Sequence, residues 1–240
     1  MSTAGGRVAL VTGGSRGIGR ACALALAGAG CDVAVNYRRD ADAADETVKA
    51  VEARGRRAVS YRASVDVLEQ DESMAEAVLD DFGGVDILVH SAGIASRGTS
   101  VVKTDPAELD RVLRTHAYAA HHLCRLLVPS MRTRPRGDVV FISSVAARLL
   151  AANGAPYNMA KAALEALAMT LAKEELRHGI HVNVVAPGLV DTEMGRRLVK
   201  GAMGIEDIPA STPPPPSAGC AAPRTWPGSS ASCARRRPAI

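Results

Sequence analysis

The chain has 240 residues, a formal net charge of +4 at pH 7, and 47% hydrophobic but only 3% aromatic residues. This length suits one domain with a core of Ala, Val, Leu and Ile. No apolar run approaches the ~20 residues that span a bilayer, and no basic patch with interleaved aromatic residues indicates nucleic-acid binding.

The cysteines and the first residues bear on the cellular location. The five cysteines lack the spacing of metal or disulfide sites, which indicates free thiols in a reducing compartment. Residues 1–6 contain neither a charged leader nor an apolar stretch typical of export signals. We therefore expect a cytoplasmic protein that needs no metal and no membrane.

Short apolar runs alternate with helical stretches along the chain. The predicted strands cover residues 7–11, 32–36, 58–61, 85–89, 138–143 and 180–185, and the predicted helices cover 20–29, 41–54, 69–82, 106–131 and 156–178. This alternation predicts an α/β fold, with a Rossmann-like, doubly wound parallel sheet and helices on both faces. We expect one domain over residues 1–208.

A glycine-rich turn, TGGSRGIG at residues 12–19, lies between the first predicted strand and helix. Glycine at positions 13, 17 and 19 permits a tight turn and lets the backbone approach a pyrophosphate, whose charge is favoured at a helix N-terminus. In this context the turn predicts a dinucleotide-binding site. Its candidate residues are Gly13, Ser15, Arg16, Gly17, Ile18 and Gly19.

Tyr157 and Lys161 lie four residues apart on a predicted helix, thirteen residues after Ser144. Residues i and i+4 share a helix face, and a nearby cation lowers the pKa of a phenol toward neutrality, which suits proton transfer. Ser144 follows a predicted buried strand, where ligands bind in open α/β sheets. The pair alone is also compatible with a Tyr and a Lys on the exposed face of an amphipathic helix.

Together these residues resemble the short-chain dehydrogenase/reductase family in its classical branch, and in particular the 3-oxoacyl-ACP reductases. Four motifs carry the resemblance over residues 5–208: residues 12–19, His90-Ser-Ala-Gly93, the trio Ser144/Tyr157/Lys161, and residues 186–192. The resemblance implies that Ser144 binds the substrate carbonyl, Tyr157 protonates the developing alkoxide, and Lys161 holds the nicotinamide ribose. Hydride would then pass from the dinucleotide to the carbonyl carbon.

The end of the second predicted strand favours NADP(H) over NAD(H). The segment Asn36-Tyr-Arg-Arg39 has no carboxylate to hold a ribose hydroxyl, whereas Arg38 and Arg16 could clamp a 2′-phosphate. The alternative is that both arginines are solvated surface charges. By resemblance, the other cofactor-binding residues are Ser64, Val65, Ala92, Gly93, Tyr157, Lys161, Pro187, Gly188, Val190 and Thr192.

Three positions depart from the family pattern. His116 stands where the family has a catalytic Asn that holds a relay water, and His90-Ser91 replaces an Asn pair. Ser64 replaces the usual Asp that accepts from the adenine amine, with Asp66 as a possible substitute. His116 could support the relay as a fourth catalytic residue or merely pack in its helix. The alternative function is therefore a catalytically impaired NADP(H)-binding sensor or partner subunit.

Residues 209–240 do not follow the family pattern. Four consecutive prolines at 213–216, followed by a mixture of Ser, Ala, Pro and Arg, exclude regular helix or ladder strand. We interpret this segment as an irregular tail, disordered or produced by a frameshift, that replaces the usual last helix and strand.

A small-molecule carbonyl or alcohol substrate is expected. So is a homodimer or homotetramer, through helices 106–131 and 156–178.

Overall fold

Six parallel strands form one sheet in the computed structural model of the protein, which describes residues 6–196. The strand order is β3-β2-β1-β4-β5-β6, so the direction of strand addition reverses between β1 and β4. The strands are β1 Val8–Thr12, β2 Asp32–Tyr37, β3 Ala58–Arg62, β4 Ile87–His90, β5 Gly137–Ile142 and β6 Ile180–Val185. The predicted Rossmann-like fold is confirmed.

Helices cover both faces of this sheet. They are α1 Gly17–Gly28, α2 Ala41–Glu52, α3 Leu68–Phe82, α4 Pro106–Leu113, α5 Ala119–Met131, the short α6 Ala146–Leu149, and α7 Ala155–Glu175. A π turn, Arg114–Tyr118, joins α4 to α5. Among the helices that the structure describes, none is both long and apolar enough to cross a membrane.

Successive side chains of a strand point to opposite faces of the sheet, so the core has two layers. On β1, Leu10 packs with Leu88, Phe141 and residues of α3, α5 and α7, while Ala9 and Val11 pack with residues of α1 on the opposite face. Leu10, Ala9 and Val11 are fully buried. Aliphatic side chains fill both layers, as expected for central parallel strands buried on both faces.

The reversal between β1 and β4 places the candidate site. Thr12 at the end of β1 is in register with His90 at the end of β4, and His90 is in register with Phe141 on β5. In open parallel sheets the crevice beyond such carboxyl ends is where ligands bind. The glycine-rich turn and the loops after β4 and β5 all start at this edge.

The structure differs from the predicted elements mainly at boundaries. Helix α1 begins at Gly17 rather than at residue 20, because the last glycines of the turn already form its first turn. The predicted helix 106–131 contains the π turn, and the predicted helix 156–178 ends as a 3₁₀ turn after Glu175. The predicted tail, residues 209–240, and the missing last strand lie outside the described residues.

Candidate active site

The glycine-rich turn is a close-packed cradle between β1 and α1. Gly13 and Gly17 have φ of +61° and +54°, where a side chain would be strained. A Cβ at Gly19 would lie 2.2 Å from the carbonyl oxygen of Gly13, and one at Gly13 would lie 2.9 Å from Cα of Ala92. The turn is therefore held tightly against both its own helix and the loop after β4.

A dinucleotide pyrophosphate fits this cradle. The side chain of Arg16, the residue before α1, does not cap the helix, and the first turn of α1 contains no acidic residue. The backbone N–H groups of that turn can therefore bind an anion, which the helix dipole also favours. Asn36 on β2 supports the turn, since its Oδ1 accepts a hydrogen bond from the Gly13 N–H at 3.2 Å.

An arginine-lined cleft of about 630 Å³ opens beside the carboxyl ends of β2 and β3. We call it the arginine cleft; it is lined by Arg38, Arg39, Arg62, Ser64, Asp66, Gln70 and Arg111. Within residues 6–196, its four arginines form no salt bridge with a carboxylate. The cleft thus suits a phosphate placed next to an adenosine ribose.

Arg16 and Ser64, both predicted from the sequence to bind the cofactor, make different contacts in the structure. Arg16 does not line the arginine cleft, because its guanidinium forms salt bridges with Asp40 and, at 2.7 Å, with Glu193. Ser64 does line it, but the Ser64 hydroxyl hydrogen-bonds the Asp66 carboxylate. Ser64 and Asp66 therefore form a hydrogen-bonded pair in the lining of the arginine cleft. Val65, which lies between them in the sequence, is buried.

Ser144, Tyr157 and Lys161 are brought together at the carboxyl edge of β5. Ser144 lies two residues after the end of β5, and its Oγ accepts a hydrogen bond from the Ala146 N–H at 3.2 Å. Tyr157 and Lys161 share the inner face of α7, where Lys161 Nζ lies 5.5 Å from the Tyr157 ring centroid. Lys161 is buried and donates to the Ile142 carbonyl at 2.7 Å.

Burial dominates the proton affinities of this trio. It lowers the pKa of Lys161 to about 7 and raises the pKa of Tyr157, while hydrogen bonding to Ser144 lowers the Tyr157 pKa in part. The prediction that Lys161 lowers the Tyr157 pKa is therefore not met by these residues alone. The reason is geometric: the ammonium is directed at the Ile142 carbonyl and lies over the ring.

His116 lies in the π turn and contacts both the loop after β4 and Tyr157. Its Nε2 lies 2.8 Å from the Ile94 carbonyl oxygen and 3.1 Å from the Ile94 nitrogen, and its ring stands perpendicular to Tyr157 with centroids 5.4 Å apart. A Cβ at Gly93 would come within 2.5 Å of the ring. His116 thus packs in its helix and also borders the site.

The His116 ring is neutral. Burial and the charge of Lys161 hold its pKa well below the ordinary value, and its Nδ1 has no partner among the described residues. Nε2 is engaged with the Ile94 backbone, so Nδ1 is the ring nitrogen that remains available to a further group.

The loop after β6 reaches the same edge of the sheet. The Pro187 carbonyl accepts from the Val145 N–H at 3.1 Å, which joins this loop to the one after Ser144. The Thr192 methyl group would lie 3.5 Å from a Cβ at Gly17, so Thr192 borders the glycine-rich turn. Gly188 and Val190 lie between these two anchor points. All the sequence-predicted site residues thus belong to elements that converge on one edge.

Three features of this site were not predicted from the sequence. Asn36 holds the glycine-rich turn, whereas the sequence indicated only that its segment lacks a carboxylate. Arg62 and Arg111 join the arginine cleft from elements distant in sequence. His90 was noted only as a departure, yet it is buried at the centre of the edge. An apolar strand that ends in a histidine was the available signal for His90.

Comparisons with known proteins agree with this geometry. Residues 7–202 match the family described as short chain dehydrogenase. The 3-oxoacyl-[acyl-carrier-protein] reductase of Synechocystis sp. is 35% identical over 198 residues, which cover 82% of this chain and 80% of that protein. A hydroxynaphthalene reductase of Aspergillus fumigatus is 37% identical over 191 residues, covering 80% of this chain and 69% of that protein.

Solved structures share the architecture. The crystal structure of a metagenomic short-chain oxidoreductase in complex with NADP matches with a TM-score of 0.73 at 33% identity, over 78% of this chain and 84% of that one. The family match includes the glycine-rich turn and the trio of Ser144, Tyr157 and Lys161. The chain therefore belongs to the short-chain dehydrogenase family and is an oxidoreductase acting on CH–OH or carbonyl groups.

Proposed function

We propose that the protein is an NADPH-dependent carbonyl reductase, which in the reverse direction is an alcohol dehydrogenase. The observation that carries this proposal is the convergence of Ser144, Tyr157 and buried Lys161 at one sheet edge, beside a glycine-rich turn built to hold a pyrophosphate. A phenol, a hydroxyl and an ammonium beside a hydride donor are the groups that carbonyl reduction requires.

Each residue of the trio has a distinct task. The Ser144 hydroxyl donates a hydrogen bond to the substrate carbonyl and places it near the Tyr157 phenol. Tyr157 gives up its proton from the phenolic oxygen as negative charge develops on the substrate oxygen. Lys161, fixed by the Ile142 carbonyl, lies 5.5 Å from the centre of the Tyr157 ring and supplies a donor for a ribose hydroxyl. The reduced nicotinamide, when bound, supplies the hydride.

The arginine cleft supports NADP(H) as the dinucleotide. Four arginines that form no salt bridge within residues 6–196 face a single carboxylate, Asp66, so the net charge of the cleft favours a 2′-phosphate. A structural relative that carries NADP has the same fold at 33% identity. A carboxylate in place of Arg38 would repel the phosphate and leave the ribose hydroxyls as the better ligand.

The cofactor preference can be measured on the purified full chain. Titration of intrinsic or cofactor fluorescence should give a lower Kd for NADPH than for NADH, and Arg38→Asp should reverse that order. Lys173→Asp is the matched control, because it changes the same charge on the last turns of α7, about 24 Å along the helix from Tyr157. Equal Kd values for the two cofactors in the unaltered protein would refute the assignment.

For the substrate, we propose 3-oxoacyl thioesters first and polyketide-like ring ketones second. Two relatives at 35% and 37% identity are named as reductases of these two classes. NADPH oxidation against both classes, followed by absorbance, tests the proposal. Tyr157→Phe should slow turnover by roughly 10²–10⁴-fold while the Kd for NADPH stays nearly constant, because only the proton donor is lost.

The catalytically impaired alternative predicts a different result. It rests on His116 and Ser64, which stand where the family has an Asn and an Asp. Tight NADPH binding without turnover on any ketone would favour it, and turnover that depends on Tyr157 would exclude it.

We also propose a homo-oligomer formed through the outer faces of α5 and α7. On α7, the exposed residues include Met159, Met169 and a row of small side chains at Ala162, Ala163 and Ala166. Tyr118 is exposed near the start of α5. Small residues let helices approach closely, and exposed methionines beside them provide apolar area for a two-fold interface.

A further inference from the structure

His90 is the last residue of β4 and is only 1% exposed. It pairs in register with Thr12 at the start of the glycine-rich turn and with Phe141 on β5. Its two ring nitrogens therefore point into the protein, between the cofactor cradle and the helices above the sheet. Because buried polar groups are normally hydrogen-bonded, the partner of each His90 ring nitrogen has to be identified.

The Thr12 hydroxyl determines which His90 nitrogen carries the proton. Thr12 Oγ1 accepts hydrogen bonds from the N–H groups of Ser91 and Ala92, each at 3.0 Å. These two bonds use both of its acceptor positions, so its hydrogen is left to donate to His90 Nδ1 at 3.1 Å. Nδ1 is then an acceptor, and the proton of the neutral ring lies on Nε2.

The Nε2–H group has no hydrogen-bond partner among the described residues. The backbone of Thr115 and His116 in the π turn favours the protonated form of the ring, which opposes part of the lowering of its pKa. In this turn the N–H of residue i+5 donates to the carbonyl of residue i, as Ala119 does to Arg114. Neighbouring carbonyls therefore lose the i+4 partner that they would have in an α-helix.

The surroundings keep His90 neutral. The charged and titratable groups that act on the ring are Lys161 from α7 and His116 from the π turn, while β1 and β5 present the neutral Thr12 and Phe141. Burial and the Lys161 charge lower the His90 pKa to about 4. At working pH the ring therefore neither gains nor loses a proton, and it can only hold neighbouring groups in place.

We propose that His90 is a positioning residue of the active site: as the Nε2–H tautomer it accepts a hydrogen bond from Thr12 and so fixes the glycine-rich turn relative to the loop after β4. That loop includes Ala92, which packs on Gly13. The catalytic consequence rests on the proposed reductase function, whereas the tautomer and the cradle geometry do not.

Imidazole ¹⁵N shifts of histidine-labelled full-length protein test this directly. His90 should show the Nε2–H pattern with no change between pH 6 and 9. Thr12→Val, which is nearly isosteric but has no hydroxyl, should abolish the tautomer preference and raise the Kd for NADPH by roughly tenfold. Thr12→Ser restores the donor and should recover both the tautomer signature and the affinity.

An Nδ1–H tautomer, or a His90 that titrates near 6.5, would overturn the proposal. So would Thr12→Val with an unchanged tautomer and an unchanged Kd. His90→Phe keeps a ring but removes the hydrogen bond with Thr12, and it should raise the Kd by at least as much; if it does not fold, the Thr12→Val and Thr12→Ser proteins still decide. Should no ketone be reduced while these shifts and affinities hold, the reductase function fails and the positioning role of His90 stands.

Discussion

Replacement of Asp71 by Asn is expected to stabilise the protein and to flatten its pH dependence. Asp71 lies in the first turn of α3, is fully buried, and neither of its carboxylate oxygens has a hydrogen-bond partner among the described residues. Burial, with a smaller contribution from the charge of Asp66, raises the pKa of Asp71 to about 8. The folded protein therefore holds a proton here that the unfolded chain releases near pH 4.

The sign and size of the effect follow from this difference. Between about pH 4 and pH 8 the folded state binds one more proton than the unfolded state, so stability falls as pH rises. Each pH unit in that window costs about 1.4 kcal/mol, which gives about 3 kcal/mol lost between pH 5 and pH 7. Asn has nearly the same shape but does not titrate, so this contribution to the slope should vanish.

Urea unfolding of the full chain at pH 5, 6 and 7 measures the effect. The Asp71→Asn protein should gain stability relative to the unaltered protein as the pH rises. The difference between their free energies of unfolding should be about 2–3 kcal/mol larger at pH 7 than at pH 5. Asp80→Asn is the control, because Asp80 is exposed on the same helix and should change the slope little. Parallel pH profiles for the Asp71→Asn and unaltered proteins would refute the reasoning.

Three further outcomes are expected. Gly19→Ala should abolish dinucleotide binding, because its Cβ would meet a backbone oxygen at 2.2 Å; Gly28→Ala on the same helix meets nothing within 4 Å and should leave the Kd unchanged. Burial lowers the pKa of Lys161 to about 7, so stability should rise from pH 7 to 10, and Lys161→Met should remove that rise in urea titrations. Met169→Glu, on the exposed face of α7, should shift an oligomer toward monomer in sedimentation velocity, and an unaltered protein that sediments as a monomer would exclude the interface.

The sheet and the cofactor cradle were predictable because their determinants are local. An apolar run that leads into TGGSRGIG indicates a buried strand, a tight turn and a helix, and these are the elements found at β1 and α1. Residues such as Leu10 and Val11 alternate between the two core layers as a strand requires. Such patterns act over a few residues and need no knowledge of distant parts of the chain.

The features that sequence reasoning missed depend on distant contacts. The π turn at His116 has the same apolar pattern as the α-helices around it, so periodicity could not reveal it. The salt bridge of Arg16 with Glu193 joins residues 177 positions apart. The effect of Lys161 on Tyr157 was predicted from spacing, whereas burial and the direction of the ammonium decide it in the structure.

If the arginine cleft holds the 2′-phosphate as proposed, cofactor choice depends on ionic strength. Its arginines are exposed, so their attraction for a 2′-phosphate is screened as salt rises, with a Debye length near 8 Å at about 0.15 M. In the proposed binding mode the pyrophosphate would meet backbone N–H groups at the start of α1, where directional hydrogen bonds are less sensitive to screening. Discrimination between the two nicotinamide dinucleotides should therefore shrink in concentrated salt while the affinity common to both persists. Assays in dilute buffer would then overstate the selectivity that the protein shows inside a cell.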